Sequence, residues 1–107
     1  MKKNVRNHID TDMLYYEMTS LACPEQYDVW DKNVPDNENY KKIAYIRYRG
    51  GLLSVNPYKE NDEIDFDTFI YSKYLTDDIY DGYLGLNENK EIFDMLNNLI
   101  LNFIKNK

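Results

Sequence analysis

Glu63, Asp65 and Asp67 alternate with Ile64 and Phe66, and in an extended chain that row would project its carboxylates from one face about 6.8 Å apart, twice the ~3.4 Å rise of a strand. Such a spacing is comparable to that of neighbouring phosphates along one nucleic-acid strand. Asp62 precedes the row, and Asp77, Asp78 and Asp81 continue it, with Tyr71, Tyr74, Tyr80 and Tyr83 as flat surfaces between the charges. These residues form the candidate partner-binding set. A face of this kind suits a basic groove that normally holds DNA or RNA, with association steered by charge and weakened by salt. The plainer account of the same row is an exposed edge strand whose charges prevent aggregation.

Other chemistry is sparse. Residues 77–88 come close to a twelve-residue calcium loop, with Asp77, Asp81, Gly82 and Glu88 at positions 1, 5, 6 and 12 of that pattern. Position 3, which needs an oxygen ligand, is Ile79, and no second loop follows, so a plain acidic turn is preferred to a metal site. Acid–base or nucleophilic catalysis needs a group tunable near neutral pH and a partner to orient it. The one His, His8, stands in no motif, and the one Cys, Cys23, precedes Pro24 as a small hydrophobe would. Gly50-Gly51 lacks the Lys and Ser/Thr of a phosphate loop. The expectation is therefore no catalytic residue, no metal and no cofactor.

Composition narrows the classes further. At 107 residues, 43% hydrophobic and 30% charged, the chain has the makings of one domain spanning residues 1–107 with a packed core. Its net charge of −6 is unevenly spread: between Glu60 and Asp94 eleven carboxylates face only Lys73 and Lys90. That field repels nucleic acid and attracts basic surfaces. Tyrosine is unusually common, eleven against four Phe and one Trp, and it suits interfaces and half-buried sheet faces. A single Cys excludes an intrachain disulfide, the basic start lacks an apolar signal-peptide core, and no apolar run approaches the ~20 residues a bilayer requires. A cytoplasmic setting without membrane contact is expected.

The elements that must position these groups read as α+β. Asp10 or Thr11 as cap, with Leu14, Met18, Leu21 and Ala22 on one face, predicts a helix over residues 10–22 that Pro24 ends. Clustered Pro, Asp and Asn over 24–40 predict a short helical turn and a loop, with Trp30 packed over the core edge or serving as an interface anchor. The runs 41–49 and 52–57 around Gly50-Gly51 predict a two-residue hairpin, with Lys42, Ala44, Ile46 and Tyr48 on one face and Ile43, Tyr45, Arg47 and Arg49 on the other, neither cleanly apolar. Residues 61–74 alternate as a strand does, although a helix through Phe66, Phe69, Ile70 and Tyr74 competes, and Gly82–Gly85 could add a further strand. From Asn87 or Asn89 onward, Ile92, Leu96, Leu99, Ile100, Phe103 and Ile104 form the stripe of a C-terminal amphipathic helix.

The expected architecture is thus an N-terminal helix, a three- or four-stranded antiparallel sheet, and a C-terminal helix across one face. The expected function is non-enzymatic: an inhibitor that covers a basic, nucleic-acid-binding surface of another protein, such as a nucleic-acid-acting enzyme. In charge and size, though in no motif, this resembles the small acidic nucleic-acid mimics that phages and mobile elements deploy against host defence. An immunity protein or antitoxin that neutralises a basic toxin is the main alternative, and a calcium-binding or regulatory subunit a further one. Arg47 and Arg49 offer an alternative contact surface.

Overall fold

The computed structural model describes residues 8–20, 24–33 and 40–106. Within them the chain forms one six-stranded antiparallel sheet in sequential order, β1 (His8–Asp10), β2 (Leu14–Ser20), β3 (Glu25–Asp31), β4 (Lys41–Arg49), β5 (Leu52–Pro57) and β6 (Tyr71–Tyr74), followed by helix α1 (Lys90–Lys105). The class is α+β, and the described residues hold no N-terminal helix and six strands where three or four were expected.

The missing helix has a physical explanation. Leu14 and Met18 satisfy a helical i, i+4 spacing, but with Tyr16 they equally satisfy a period of two, and it is this alternation that the fold uses: Leu14 and Tyr16 are buried, and Met18 packs against the core. Thr11, expected to cap a helix, does accept a hydrogen bond from the amide three residues on, Leu14 N to Thr11 Oγ1 at 2.9 Å. Here the contact closes the β1–β2 turn, because Thr11 N and Oγ1 both donate to the Leu14 carbonyl. Leu21, Ala22 and Cys23 lie outside the described residues.

Residues 25–31 are likewise a strand and not a helical turn. Glu25, Tyr27 and Val29 face the core while Gln26, Asp28 and Trp30 face the other way, a pattern masked in the sequence because one core position holds a carboxylate. The β4–β5 hairpin forms as expected, with Ala44, Ile46 and Tyr48 buried opposite Pro57, Val55 and Leu53. The alternation over residues 61–74 does not produce one strand. An isolated bridge between Tyr58 and Ile64 is followed by irregular chain, and only Tyr71–Tyr74 pairs with β5. Gly82–Gly85 is irregular chain as well.

One sheet face is closed by α1. The Asn89 side chain caps the helix by accepting from Ile92 N at 3.3 Å, and Leu96 and Ile100 are fully buried against the strands. The Tyr16 ring packs 4.9 Å from Phe93, and its hydroxyl donates to Asn97 Oδ1 at 2.8 Å. Ile92, Phe93, Met95, Leu101 and Ile104 complete the packing, so the stripe is rotated from the expected one towards Phe93. No helix among the described residues is long and apolar enough to cross a membrane.

The hairpin turn has a second duty beyond reversing the chain. Gly50 and Gly51 both adopt positive φ, and a Cβ on Gly51 would lie 2.1 Å from the Thr76 carbonyl oxygen. Gly51→Ala should therefore destabilise the fold by about 3 kcal/mol or more, adding a steric clash to left-handed strain. Gly50→Asn, with 3.3 Å of clearance to Ile79 O and a side chain that tolerates this conformation, should cost under about 1 kcal/mol. Denaturant midpoints of the two variants check the contrast.

Candidate functional site

The acidic half is held to the sheet by a carboxylate from the other half. Glu25 is 1% exposed on the core face of β3. Its Oε1 accepts the amides of Leu84 and Gly85, and its Oε2 accepts Leu86 N at 3.0 Å and the Tyr27 hydroxyl at 2.7 Å. Gly85, in the left-handed region at φ 68°, turns the chain so that three successive N–H groups converge on one anion. The segment 75–86 thereby becomes a strap from the end of β6 back across the sheet to β3. Leu75 N donates to Gly51 O at 2.8 Å, Gly51 N to Asp81 O at 3.1 Å, and the Tyr48 hydroxyl to Asp81 Oδ2 at 2.7 Å.

The other acidic segment, residues 58–70, is tied to β5 by Asn56. Its buried amide donates to Asp65 O at 3.3 Å and Thr68 O at 2.9 Å. This arrangement overturns the equally spaced row. Glu63 closes a tight turn through Lys59 N to Glu63 O at 2.7 Å, and Asp62 within it has φ 65°. Asp65 is half-buried and turns its Oδ1 back to Asp67 N at 3.0 Å. The three carboxylates do not share a strand face, so a phosphate-like repeat is absent.

The expected site residues fall into two groups. Asp62, Glu63, Asp67, Tyr74, Asp77, Asp78, Tyr80 and Tyr83 are exposed, whereas Asp65, Tyr71 and Asp81 are half-buried and help to build the scaffold. Asp78 sits at the surface with its Oδ1 accepting Tyr80 N at 3.0 Å, and Asp81 Oδ1 accepts Tyr83 N at 3.4 Å. These carboxylates fold onto their own backbone and not towards a common centre, and no three His, Cys, Asp or Glu side chains converge on a metal position among the described residues. What the sequence did not single out is the apolar company: Phe66 is 64% exposed and Ile79 72%, with Phe69 and Leu75 also at the surface. Their signal was present as large apolar residues among acids with no consistent core period.

The sheet face away from α1 is organised around Asp28. Tyr58 donates to Asp28 Oδ1 at 2.5 Å, Lys42 Nζ lies 4.0 Å from Oδ2, and the same ammonium stands 5.3 Å from the Trp30 ring and 4.9 Å from that of Tyr58. Burial first, then the bond to Asp28, pushes the Tyr58 phenol above its ordinary range. Trp30 thus lies on this second face and not over the edge of the core. Tyr45 and Arg47 lie on this face as the alternation predicted, but Lys42 and Ile43 do not follow it: the register shift between Val29 and Trp30 sets Lys42 opposite Trp30 and leaves Ile43 buried in the core. Burial raises the Tyr45 phenol against the opposing pull of Arg47. His8, on edge strand β1, lies 5.4 Å from the Tyr15 ring, and its Nδ1 has no hydrogen-bond partner among the described residues. Cys23 falls outside the described residues. A cleft of about 680 Å³ between Met13, Asn33 and the end of α1 is lined mainly by amides and aliphatic groups, remote from the strap.

No protein-family model, curated protein or solved structure matches the chain.

The strap makes two outcomes testable. Glu25→Gln replaces one acceptor oxygen by an amide group that opposes backbone donors, so it should cost about 2–3 kcal/mol, whereas Tyr27→Phe removes one donor and should cost about 1 kcal/mol. Glu25→Gln should also speed amide exchange at Leu84, Gly85 and Leu86 ahead of the sheet. The second outcome concerns alkaline pH. Burial and then the bond to Asp81 push the Tyr48 phenol up to about 12. Because its unfolded value is lower, the folded state holds this proton longer, and the stability it contributes is lost as pH rises from about 10 to about 12. The stability gap between the parent and Tyr48→Phe should therefore narrow across that window in denaturation series.

Proposed function

We propose that this chain is a non-enzymatic binding protein that uses residues 62–83 to occupy a basic, nucleic-acid-binding surface on another protein, in the manner of a phage or mobile-element anti-defence inhibitor. One observation carries the reading: five exposed carboxylates, Asp62, Glu63, Asp67, Asp77 and Asp78, are interleaved with exposed Phe66, Phe69, Tyr74, Leu75, Ile79, Tyr80 and Tyr83. Tyr80 is 84% exposed. Large exposed aromatic residues supply desolvated contact area, and surrounding carboxylates supply steering and discrimination. Competition with nucleic acid would then rest on charge and overlap, since the phosphate-like spacing is absent.

Phe66, Phe69 and Ile79 have no counterpart in a nucleic-acid backbone, and they favour a second reading, an immunity protein or antitoxin with one cognate basic toxin. The two differ in what they predict: a nucleic-acid mimic competes with DNA or RNA for its partner, whereas an immunity protein binds one cognate toxin tightly.

The test compares the parent with a variant carrying Asp62→Asn, Glu63→Gln, Asp67→Asn, Asp77→Asn and Asp78→Asn, which spares Asp65 and Asp81 because they hold the fold. A basic protein captured by the parent, released from labelled DNA or RNA by it, and bound at least about tenfold more weakly by the variant at low salt is the expected outcome. Equal capture by both proteins sinks the charge-based reading.

A further inference from the structure

We infer that the cleft beside the C-terminal end of β6 is an anchor pocket for one arginine or lysine side chain, carried by an extended basic segment of the partner that adds as a strand to the open edge of β6. The inference rests on the proposed binding function and specifies its mode.

The cleft measures about 550 Å³ and is lined by Gly50, Tyr74, Leu75, Thr76, Asp77 and Ile79. Its walls are an aromatic ring and aliphatic side chains that are exposed in this structure. Asp77 contributes the only carboxylate of the lining, and it takes part in no hydrogen bond or ion pair among the described residues. Its neighbours Asp78 and Asp81 are engaged by backbone and by Tyr48. Apolar walls ending in one free anion match a side chain with an apolar stem and a cationic head, and a guanidinium can also stack on Tyr74.

The neighbouring backbone is arranged for a strand. β6 ends the sheet order, so its outer side has no strand neighbour among the described residues. Leu75 N bonds Gly51 O, and the same register pairs Lys73 with Leu53 and Tyr71 with Val55. Residues 71, 73 and 75 therefore direct their backbone groups towards β5, while those of Ser72 and Tyr74 point to the open edge. Edge strands are ordinarily blunted by shortness, Pro, bulges or charges. This one is four residues long and carries Lys73, yet Ser72 and Tyr74 are exposed and no Pro removes their N–H groups. An added strand would gain main-chain bonds from Ser72 and Tyr74 and side-chain selection from the cleft.

Charge selects the occupant. Antiparallel pairing of β6 with a second copy would bring Asp77 and Asp78 of one chain beside Asp67 of the other, an arrangement of like charges. A basic segment meets those same groups favourably.

The test titrates the full ¹⁵N-labelled chain at low salt with a capped, alternating Arg-Val hexapeptide, and in parallel with its Glu-Val counterpart. The expected result is saturable shifts at Ser72, Tyr74, Thr76 and Asp77, slowed amide exchange at Ser72 and Tyr74, and no binding of the Glu-Val peptide. Asp77→Asn should weaken the Arg-Val peptide by roughly five- to tenfold, the scale of one lost charged contact. Ser72→Pro removes an outward N–H without touching the ladder to β5, and it should abolish the exchange protection; if this variant fails to fold, Asp77→Asn and the exchange pattern decide alone. Absent or displaced shifts, equal binding of both peptides, unchanged affinity of Asp77→Asn, or concentration-dependent dimerisation through β6 each overturns the inference. If the captured partner is lost with the five-carboxylate variant but binds Asp77→Asn and Ser72→Pro normally, the acidic-face function stands and the anchor falls.

Discussion

The structure depends on one buried anion. A carboxylate at 1% exposure is tolerable only if its lone pairs are filled, and Glu25 is met by three consecutive amides and a phenol. The dependence runs both ways, because the amides of residues 84–86 would otherwise be buried without partners. An apolar side chain at position 25 could fill the volume but not accept those bonds. The negative segment of the chain is therefore positioned by a negative residue of the other half, through the positive ends of backbone dipoles and not through a salt bridge. Repulsion between the two is avoided because Asp77, Asp78 and the exposed tyrosines lie along the free length of the strap, while its anchored end contributes only N–H groups.

Tyrosine serves this scaffold and its surface in different ways. Tyr16, Tyr27 and Tyr48 are buried, and each hydroxyl donates to an acidic or amide oxygen, Asn97, Glu25 and Asp81 respectively. Burial pushes all three phenols above their ordinary range. Tyr74, Tyr80 and Tyr83 keep the same amphipathic ring at the surface, where no core demands it. A count of tyrosines could not separate the two uses. Position in the pleat does so: Tyr16, Tyr27 and Tyr48 share the helix-covered face, whereas Tyr74, Tyr80 and Tyr83 lie at the sheet edge or on the strap.

This explains which parts of the fold were legible in sequence. The β4–β5 hairpin and α1 were readable because local and tertiary demands agree there: Gly50-Gly51 supplies the turn conformation, and Asn89 caps an apolar stripe. β2 was obscured because Leu14 and Met18 fit both periods and Thr11 makes a cap-like bond in either fold. β3 was obscured because its core face begins with Glu25, whose burial makes sense only once residues 84–86 are placed sixty positions away. The acidity of residues 60–94 was legible in composition, whereas the geometry expected of residues 63–67 was mistaken. Alternation over 63–67 implies a strand only if a neighbour pairs with it, and Asn56 instead binds this segment through the carbonyls of Asp65 and Thr68.

The same distinction redefines the acidic region. Asp65 and Asp81 spend their lone pairs on Asp67 N and on Tyr48 and Tyr83, and a partner that engaged them would have to displace native bonds. Asp62, Glu63, Asp67 and Asp77 stand at the surface at the two ends of β6, beside aromatic and aliphatic side chains whose exposure the fold does not require. Neutralising a scaffold carboxylate should therefore change stability, and neutralising a surface one should change association. The eleven carboxylates between Glu60 and Asp94 are thus not one electrostatic patch. Asp65 and Asp81 hold backbone and the Tyr48 hydroxyl, Glu60 and Asp94 pair with Lys41 and Lys90, and Asp62, Glu63, Asp67 and Asp77 stand exposed.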